Sequence, residues 1–305
     1  MVHVLIPAHN NKPEVLEVLH CLQRQRHAEI EVVVVDDGST DGTAEEVQSR
    51  FSRVRVLRGN GQLWWTGANV LGVSDIMERA REGDFILLLN NDVSTDDDYV
   101  SELVGCSEHL GRAMVGSTIV DDERRDRMVA GLRLDRRLRI TERTDASAIR
   151  RCDYDDEVDV LPGRGTLVPI EVFQRIGTFN HRCLPHYGAD YEFSIRARRA
   201  GVKLAVSHRA KVYAKLRITG LYPPDRPRIS VIECLRLLCS RKSTANFRYY
   251  LNYVWLCSEP GDKWRNTLSH GAGLLLDTVG KTVVGFPLQV CSRLWLKGNR
   301  TVRVS

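Results

Sequence analysis

The chain has 305 residues, 43% hydrophobic and 27% charged, enough for one large α/β domain with a smaller appendage. Its formal charge of +5 is modest, so no nucleic-acid partner is expected, and where that charge lies matters more than its sum. No run of 18 uncharged apolar residues suggests a spanning helix, Met1 leads straight into a strand pattern without a signal-peptide profile, and the eight scattered cysteines form no Cys-x-x-Cys pair, so a cytoplasmic protein with reduced thiols is expected.

Val2–Pro7 reads as a first strand, stopped by Pro7 and the polar turn Ala8-His9-Asn10-Asn11. Pro13 suits the first turn of a helix that Val15, Leu16, Val18, Leu19 and Leu22 carry to about Gln25. Glu31–Val35 is a second, buried strand. It ends in Asp36-Asp37-Gly38-Ser39-Thr40-Asp41-Gly42, a turn able to start a helix over about Ala44–Arg50. Val54–Leu57 is a short third strand, and Asn60–Gly72 reads as a Gly- and Trp-rich loop before a helix to about Arg81. Phe85–Asn90 opens with five apolar residues without alternation, as in a parallel strand buried on both faces, and runs into Asn90-Asn91-Asp92. A helix follows from about Asp97 to His109. Strands alternating with helices over short connections argue for a mostly parallel sheet flanked by helices. Neither a Gly-x-Gly-x-x-Gly after the first strand nor a Gly-x-x-x-x-Gly-Lys-Ser/Thr is present, which removes the main support for dinucleotide and P-loop readings.

From 111 the rhythm changes. Met114–Val120 is a strand, Asp121–Arg139 a charge-laced exposed hairpin or loop, and Arg151–Glu157 an acidic solvated loop. Val158–Pro169 is an extended stretch in which small residues would let a ligand approach the backbone. Glu171–Ile176 is a short helix closed by Gly177, Tyr187–Gly201 a loop leading into a helix, and Lys203–Val206 a strand. Tyr222–Arg228 looks like a linker, which divides the chain into a domain over 1–220 and a helical, basic extension over 221–305. The extension carries Arg241, Lys242, Lys263, Arg265, Arg293, Lys297, Arg300 and Arg303 at its margins. It reads either as an amphipathic, surface-seeking segment or as a helical subdomain with solvated basic edges.

Strand ends at Asp36-Asp37 and Asp92 present carboxylates where an open α/β sheet binds its ligands. Each could instead hold a turn or cap a helix. A carboxylate at a diphosphate can hold a divalent cation, and one beside a nucleotide can accept from a base or ribose. Trp64 and Trp65 could stack on a base or sugar, or pack against the next helix. Asp190 and Glu192, two apart, do not share a helical face; Asp190 is either an N-cap or a general base aimed at the crevice.

Taken in order, these segments resemble the family 2 inverting glycosyltransferases of GT-A fold, in particular bacterial rhamnosyltransferase-like members that build envelope polysaccharides. Val4-Leu-Ile-Pro-Ala-His-Asn10, Val33-Val-Val-Asp-Asp-Gly-Ser-Thr-Asp-Gly-Thr43, Gly59–Asn69, Leu89-Asn-Asn-Asp-Val93 and Gly188–Gly201 carry the likeness, which covers about residues 2–215. It implies a nucleotide-diphospho-sugar transferase fold, a nucleotide-diphosphate sugar donor, and a glycan or lipid-linked acceptor; contact of the extension with the inner face of the cytoplasmic membrane is expected from its own basic charge. His9, Asp36 and Asp37 would then lie at the base and ribose, with Pro7, Asn10, Asn60, Trp65, Gly67, Asn69, Asn90 and Asn91 completing the donor site. Trp64, Arg164, Gly165, His186 and Glu192 would line the sugar and acceptor, Asp190 would be the base, and Asp92, with His208 as a further candidate, would hold Mg²⁺ or Mn²⁺. Three positions depart from the family pattern: Asn90 replaces the first Asp of Asp-x-Asp, Ala189 an acidic residue before the base, and Ala214 a metal-ligating His. The alternatives are a sugar-nucleotide nucleotidyltransferase, which lacks its Gly-rich basic loop here, and a non-catalytic sugar- or nucleotide-binding member.

Overall fold

The computed structural model describes residues 1–27, 29–123, 128–142, 144, 153–214 and 229–283. The expected linker Tyr222–Arg228 and the basic residues Arg293, Lys297, Arg300 and Arg303 lie outside them. Four strands, β1 (Val2–Ala8), β2 (Ile30–Asp36), β3 (Val54–Arg58) and β4 (Phe85–Leu88), lie parallel in the order β3-β2-β1-β4. They are joined through α1 (Lys12–Gln23), α2 (Thr43–Arg50) and α3 (Trp64–Met77). Val4–Ile6, Val33–Val35 and Ile86–Leu88 are almost wholly buried, which explains their lack of polar alternation. At the amino ends of the strands His3 joins Glu31 at 2.8 Å and Asp84 at 3.1 Å, so that β1, β2 and the entry to β4 share one polar clasp.

The second half extends the sheet from the β4 side. Short β5 (Val93–Thr95) leads to α4 (Tyr99–His109) and then β6 (Met114–Asp121), with β7 (Met128–Val129) on its edge. A separate hairpin, β8 (Leu132–Leu134) and β9 (Ile140–Glu142), precedes the edge strand β10 (Tyr154–Asp155). β11 (Thr166–Pro169) then inserts antiparallel between β4 and β6. After α5 (Ile170–Ile176) and α6 (Ala189–Arg199), β12 (Leu204–Ala214) pairs parallel to β6 and antiparallel to β5 and β10. The expected mostly parallel sheet flanked by helices is what forms.

Three expectations are corrected and one, the extended stretch over 158–169, is sharpened. β1 runs on through Pro7 to Ala8: the backbone of Val2 and of Ala8 bonds towards β2, so alternation turns the nitrogen of Pro7 towards the β4 side, where pairing has already ended. The loop expected over Asn60–Gly72 is only its first few residues, and Gly72 lies inside α3. A Cβ there would sit 2.1 Å from Leu5 Cδ1, so this glycine serves close packing of α3 on β1. The end of the stretch Val158–Pro169 is an internal strand, with Leu167 and Val168 buried. The charge-laced segment after β6 buries Val129, Ala130, Leu132 and Leu138, so it is only partly the exposed hairpin its charges suggest.

Three helices follow: α7 (Val231–Cys239), opened by a Ser230–Glu233 capping box, α8 (Phe247–Cys257), capped by Asn246, and α9 (Lys263–Val283). Helix α8 docks on α6, where Asn252 donates to the carbonyl of Cys183 at 3.0 Å and Arg199 reaches the carbonyl of Cys257 at 2.7 Å. The core side of α6 is anchored by Phe193, which lies against Phe173 and Phe179 with ring centroids 5.1 and 4.7 Å away. Phe193→Ala is expected to cost about 3–5 kcal/mol, the usual loss for a buried phenylalanine, read as a shift in the urea unfolding midpoint.

Candidate active site

The carboxyl ends of β1, β2 and β4 meet at one edge of the sheet. Asp36, the last residue of β2, is buried and accepts from the Ser39 amide at 3.0 Å. Asp37, also buried, accepts from the Gly61 amide through Oδ1 at 2.8 Å and from the Trp64 amide through Oδ2 at 2.9 Å. Both oxygens thus pin the segment 59–64 to the end of β2. The contact requires bare backbone: a Cβ on Gly38 would lie 2.9 Å from the Gly61 nitrogen. Trp64 takes φ 59°, a left-handed conformation that costs a tryptophan energy and that the Asp37 bond helps to hold. His9 Nδ1 donates to the Asp37 carbonyl at 2.7 Å, leaving Nε2 to accept from Asn10 Nδ2 at 3.1 Å. Asn10 in turn takes the Thr40 amide at 2.8 Å, so the β1 and β2 exits form one knit surface.

At the β4 exit, Asn90 Oδ1 accepts from Trp65 Nε1 at 3.0 Å. Asp92 Oδ2 faces Arg164 Nη2 at 3.5 Å, while its buried Oδ1 has no partner. The turn that carries Arg164 begins with Gly163, whose amide donates to Asp190 Oδ2 at 2.9 Å. A Cβ on Gly163 would lie 2.3 Å from the Trp65 ring, so the indole closes directly on this turn. Gly165 (φ 86°) is fixed from inside: its carbonyl accepts from Ser117 Oγ at 2.6 Å, and Ser117 meets Tyr99 Oη at 2.8 Å. The small side chains expected to admit a ligand therefore admit the protein's own groups. Nothing in the sequence pattern marks Tyr99 and Ser117 as supports of the site, because they read as ordinary core positions of a helix and a strand.

Asp190 lies in the first turn of α6. The N-cap is Gly188 (φ 78°), so Asp190 is not the cap itself. Its Oδ1 accepts from the Tyr191 amide at 3.0 Å. Burial raises its pKa above the usual aspartate value, opposed by these amide bonds and by the nearby Arg164 charge. On the other side of the crevice Trp64 meets His186 edge-on, centroids 5.5 Å apart. Burial lowers the His186 pKa to about 4, so the imidazole is neutral at physiological pH, and its Nδ1 has no partner. Thr66 Oγ1 and Asn69 Oδ1, at the start of α3, are likewise buried polar atoms without partners.

Residues 3–162, just over half of the chain, match the family described as glycosyl transferase family 2. The chain belongs to this family. Among curated relatives, glycosyltransferase GlyG of Streptococcus pneumoniae serotype 4 is 26% identical over 106 residues, 34% of either chain. The uncharacterized glycosyltransferase EpsJ of Bacillus subtilis is 31% identical over 105 residues, 33% of this chain and 27% of EpsJ. The matches thus span about a third of those relatives. Among solved structures, GalNAc-T7 with UDP, GalNAc and Mn²⁺ covers 92% of this chain and 51% of its own at TM-score 0.61 and 15% identity. Staphylococcus aureus TarS covers 95% of this chain and 50% of its own at TM-score 0.52 and 15% identity. At such identity they speak for the fold, the GT-A glycosyltransferase fold.

Within this family-2 frame, several expected residues take other duties. Glu192 is buried and paired with Arg196 at 2.9 and 3.1 Å, and Arg196 also binds the Thr178 carbonyl at 2.8 Å. It braces α6 against the loop after α5 and does not line a sugar. His208 sits in the β12 bulge between Ser207 and Lys211, whereas Asp92 adjoins the Val93–Ala214 pair. Three rungs separate the bulge from Ala214, about 10 Å by the usual strand rise, so His208 does not join Asp92. Among the described residues no group of three or more His, Cys, Asp and Glu gathers for a metal. The free, buried Oδ1 of Asp92 still suits a divalent cation that completes its shell from a diphosphate, since Mg²⁺ is commonly held by one or two carboxylates plus phosphate oxygens. Asn90 Oδ1 already accepts from Trp65 Nε1 and has one lone pair left.

His186 gives a pH signature. Its folded pKa lies below the unfolded value, so between pH 6.5 and about 4 the unfolded chain binds more protons and stability falls as pH falls. His186→Phe is expected to flatten that part of the stability–pH curve, measured by denaturant unfolding at several pH values; an unchanged slope would exclude His186 as its source.

Proposed function

We propose that this chain transfers a sugar, rhamnose or another hexose, from a nucleoside-diphosphate donor to a hydroxyl of a glycan or lipid-linked acceptor in envelope polysaccharide synthesis, with inversion at the anomeric carbon. One observation carries the reading: consecutive residues of a single turn, Gly163 and Arg164, hold the buried carboxylate of Asp190 and face that of Asp92. A candidate base and a candidate diphosphate site are thereby set side by side.

In this reading the nucleotide lies across the exits of β1 and β2, against His9, Asn10, Asp36 and the 59–64 segment. Asp190 takes the acceptor proton as the oxygen forms its bond to the anomeric carbon and the bond to the diphosphate breaks. Its raised pKa brings its basicity closer to that task than an exposed aspartate would. Arg164 neutralises charge that grows on the departing diphosphate, and Asp92 would hold a divalent cation there, whose chemistry is electrostatic stabilisation of the leaving group. Trp64 and His186 wall the opposite side, where a neutral imidazole with an unpartnered nitrogen is suited to a sugar hydroxyl.

Purified Asp190→Asn is expected to lose about 10²–10⁴-fold in transfer while nucleotide-sugar binding, read by thermal shift, stays within about twofold. Transfer at the wild-type rate would remove Asp190 from the role of base. The wild-type rate should fall on acidification through a pKa above the ordinary aspartate value of 3.8, because only the ionised carboxylate accepts the proton. For the cation, activity should vanish in excess chelator and return with Mg²⁺ or Mn²⁺. Full activity under chelation would exclude the metal role of Asp92 and leave the diphosphate to Arg164.

A further inference from the structure

Helix α9 is turned inside out. The residues it buries are largely polar: Asn266, His270, Asp277 and Thr278 are all under 10% exposed. The residues it exposes are largely apolar: Trp264 is 70% and Leu268 68% exposed, followed at helical spacing by Leu275 and Val279. The inversion has a cause in the fold. Asn266 Nδ2 donates to the Arg136 carbonyl at 3.0 Å, and His270 Nε2 donates to the Arg137 carbonyl at 2.9 Å, while Tyr250 Oη meets His270 Nδ1 at 2.7 Å. Asn266 and His270 therefore commit the first half of the polar face to the turn of the β8–β9 hairpin and to α8. Helix α7, which packs against α9, adds exposed Val231 and Leu235. Patches of this kind on a folded chain mark an interaction surface.

Charge names the occupant. Residues 229–305 hold eleven Lys and Arg against four Asp and Glu, so this last quarter of the sequence carries more than the whole chain's +5. Of the four acids, Asp262 and Asp277 are buried and Glu233 is engaged in the α7 capping box. Arg236 on α7 and Arg265 on α9 are exposed on the same helices as the apolar residues, and Arg241 and Lys242 are exposed in the connection that follows α7. A second copy of the chain would bring like charges together. The chain's own residues 284–305 contain four further Lys and Arg and no acid, so they cannot neutralise the rim. An anionic lipid surface satisfies both features: the apolar stripe enters the acyl boundary, the tryptophan sits at headgroup level, and the cations meet phosphate. Among the described residues no helix is long and apolar enough to cross a membrane, so α9 would lie in the plane of the surface.

We infer that the outward face of α9, with α7 beside it, is a monotopic docking surface for an anionic lipid bilayer. It rests on the proposed function only in giving that surface a purpose, the capture of acceptors displayed at a membrane. The test is flotation of the full chain with vesicles of phosphatidylcholine alone and of phosphatidylcholine containing 30% phosphatidylglycerol. Binding to the anionic vesicles at least tenfold above the neutral ones is expected, with a similar loss in Leu268→Ser/Leu275→Ser and a smaller, salt-dependent loss in Arg265→Glu. Both substitutions lie on the exposed face, and an unchanged melting temperature checks that the fold is intact. Equal recovery with both vesicle types, or binding unaffected by the double substitution, overturns the inference. So does a dimer in sedimentation velocity that the double substitution dissolves, since the face would then belong to a second copy. Turnover of a soluble nucleotide sugar is measured on the same variants. If it is preserved while vesicle binding is lost, the surface stands apart from the catalytic reading; if wild-type turnover is absent while vesicle binding is intact, only the catalytic reading fails.

Discussion

The crevice depends on how one buried carboxylate is used. Asp37 spends both oxygens on backbone amides, those of Gly61 and Trp64, and so fastens the segment after β3 to the end of β2. A buried anion is costly unless it receives hydrogen bonds, and here the backbone supplies them at the point where a helix begins and its free amides need acceptors. That fastening sets where α3 starts. It also sets where Trp64 and Trp65 leave the chain, and through them the contacts to His186, Asn90 and Gly163. A family-2 motif that reads as a run of ligand-binding acids is, at its second acid, a joint of the scaffold.

The second constraint is the turn at Gly163–Gly165. Its front holds Asp190 through an amide and presents Arg164 to Asp92; its back rests on Ser117 and Tyr99. Two opposing electrostatic effects meet there. Desolvation pushes Asp190 towards its neutral form, while two amides and a guanidinium pull it back towards the anion. Burial makes Asp190 more basic than a surface aspartate, and the amide bonds and the guanidinium limit that rise.

Much of the fold was legible because the central strands are buried on both faces and write themselves as unbroken apolar runs. The start of α3 was not, since Gly and Trp near a strand exit read as loop until Gly72 is seen against Leu5. β11 was not, because its partners lie about 50 and 80 residues upstream and no local pattern records that pairing. At the site, Asp92 and Asp190 could be named from motif order, but not their separate companions: Trp65 on Asn90, Arg164 on Asp92, Gly163 on Asp190. Glu192 and His208 illustrate the limit, for residue type and proximity in sequence suggested chemistry where the chain needs an internal brace and a strand bulge. The orientation of α9 was hidden for a related reason. Its two faces are visible in the sequence, but only the hairpin carbonyls that Asn266 and His270 capture decide which one turns inward.

The insertion of β11 between β4 and β6 also governs the order in which the molecule can assemble. During synthesis β1, β2 and β3 can pair as they emerge, since each lies beside its predecessor in chain and space, and β4 then joins the free edge of β1. β4 and β6 must then wait, each with an unfilled edge, until residues 166–169 arrive to bridge them. Closing so long a loop is slow, and an open apolar edge invites pairing with other chains in the meantime. The crevice is thus a late product of folding: Asp190 and Arg164 lie on segments that dock only after the amino-terminal strands are built.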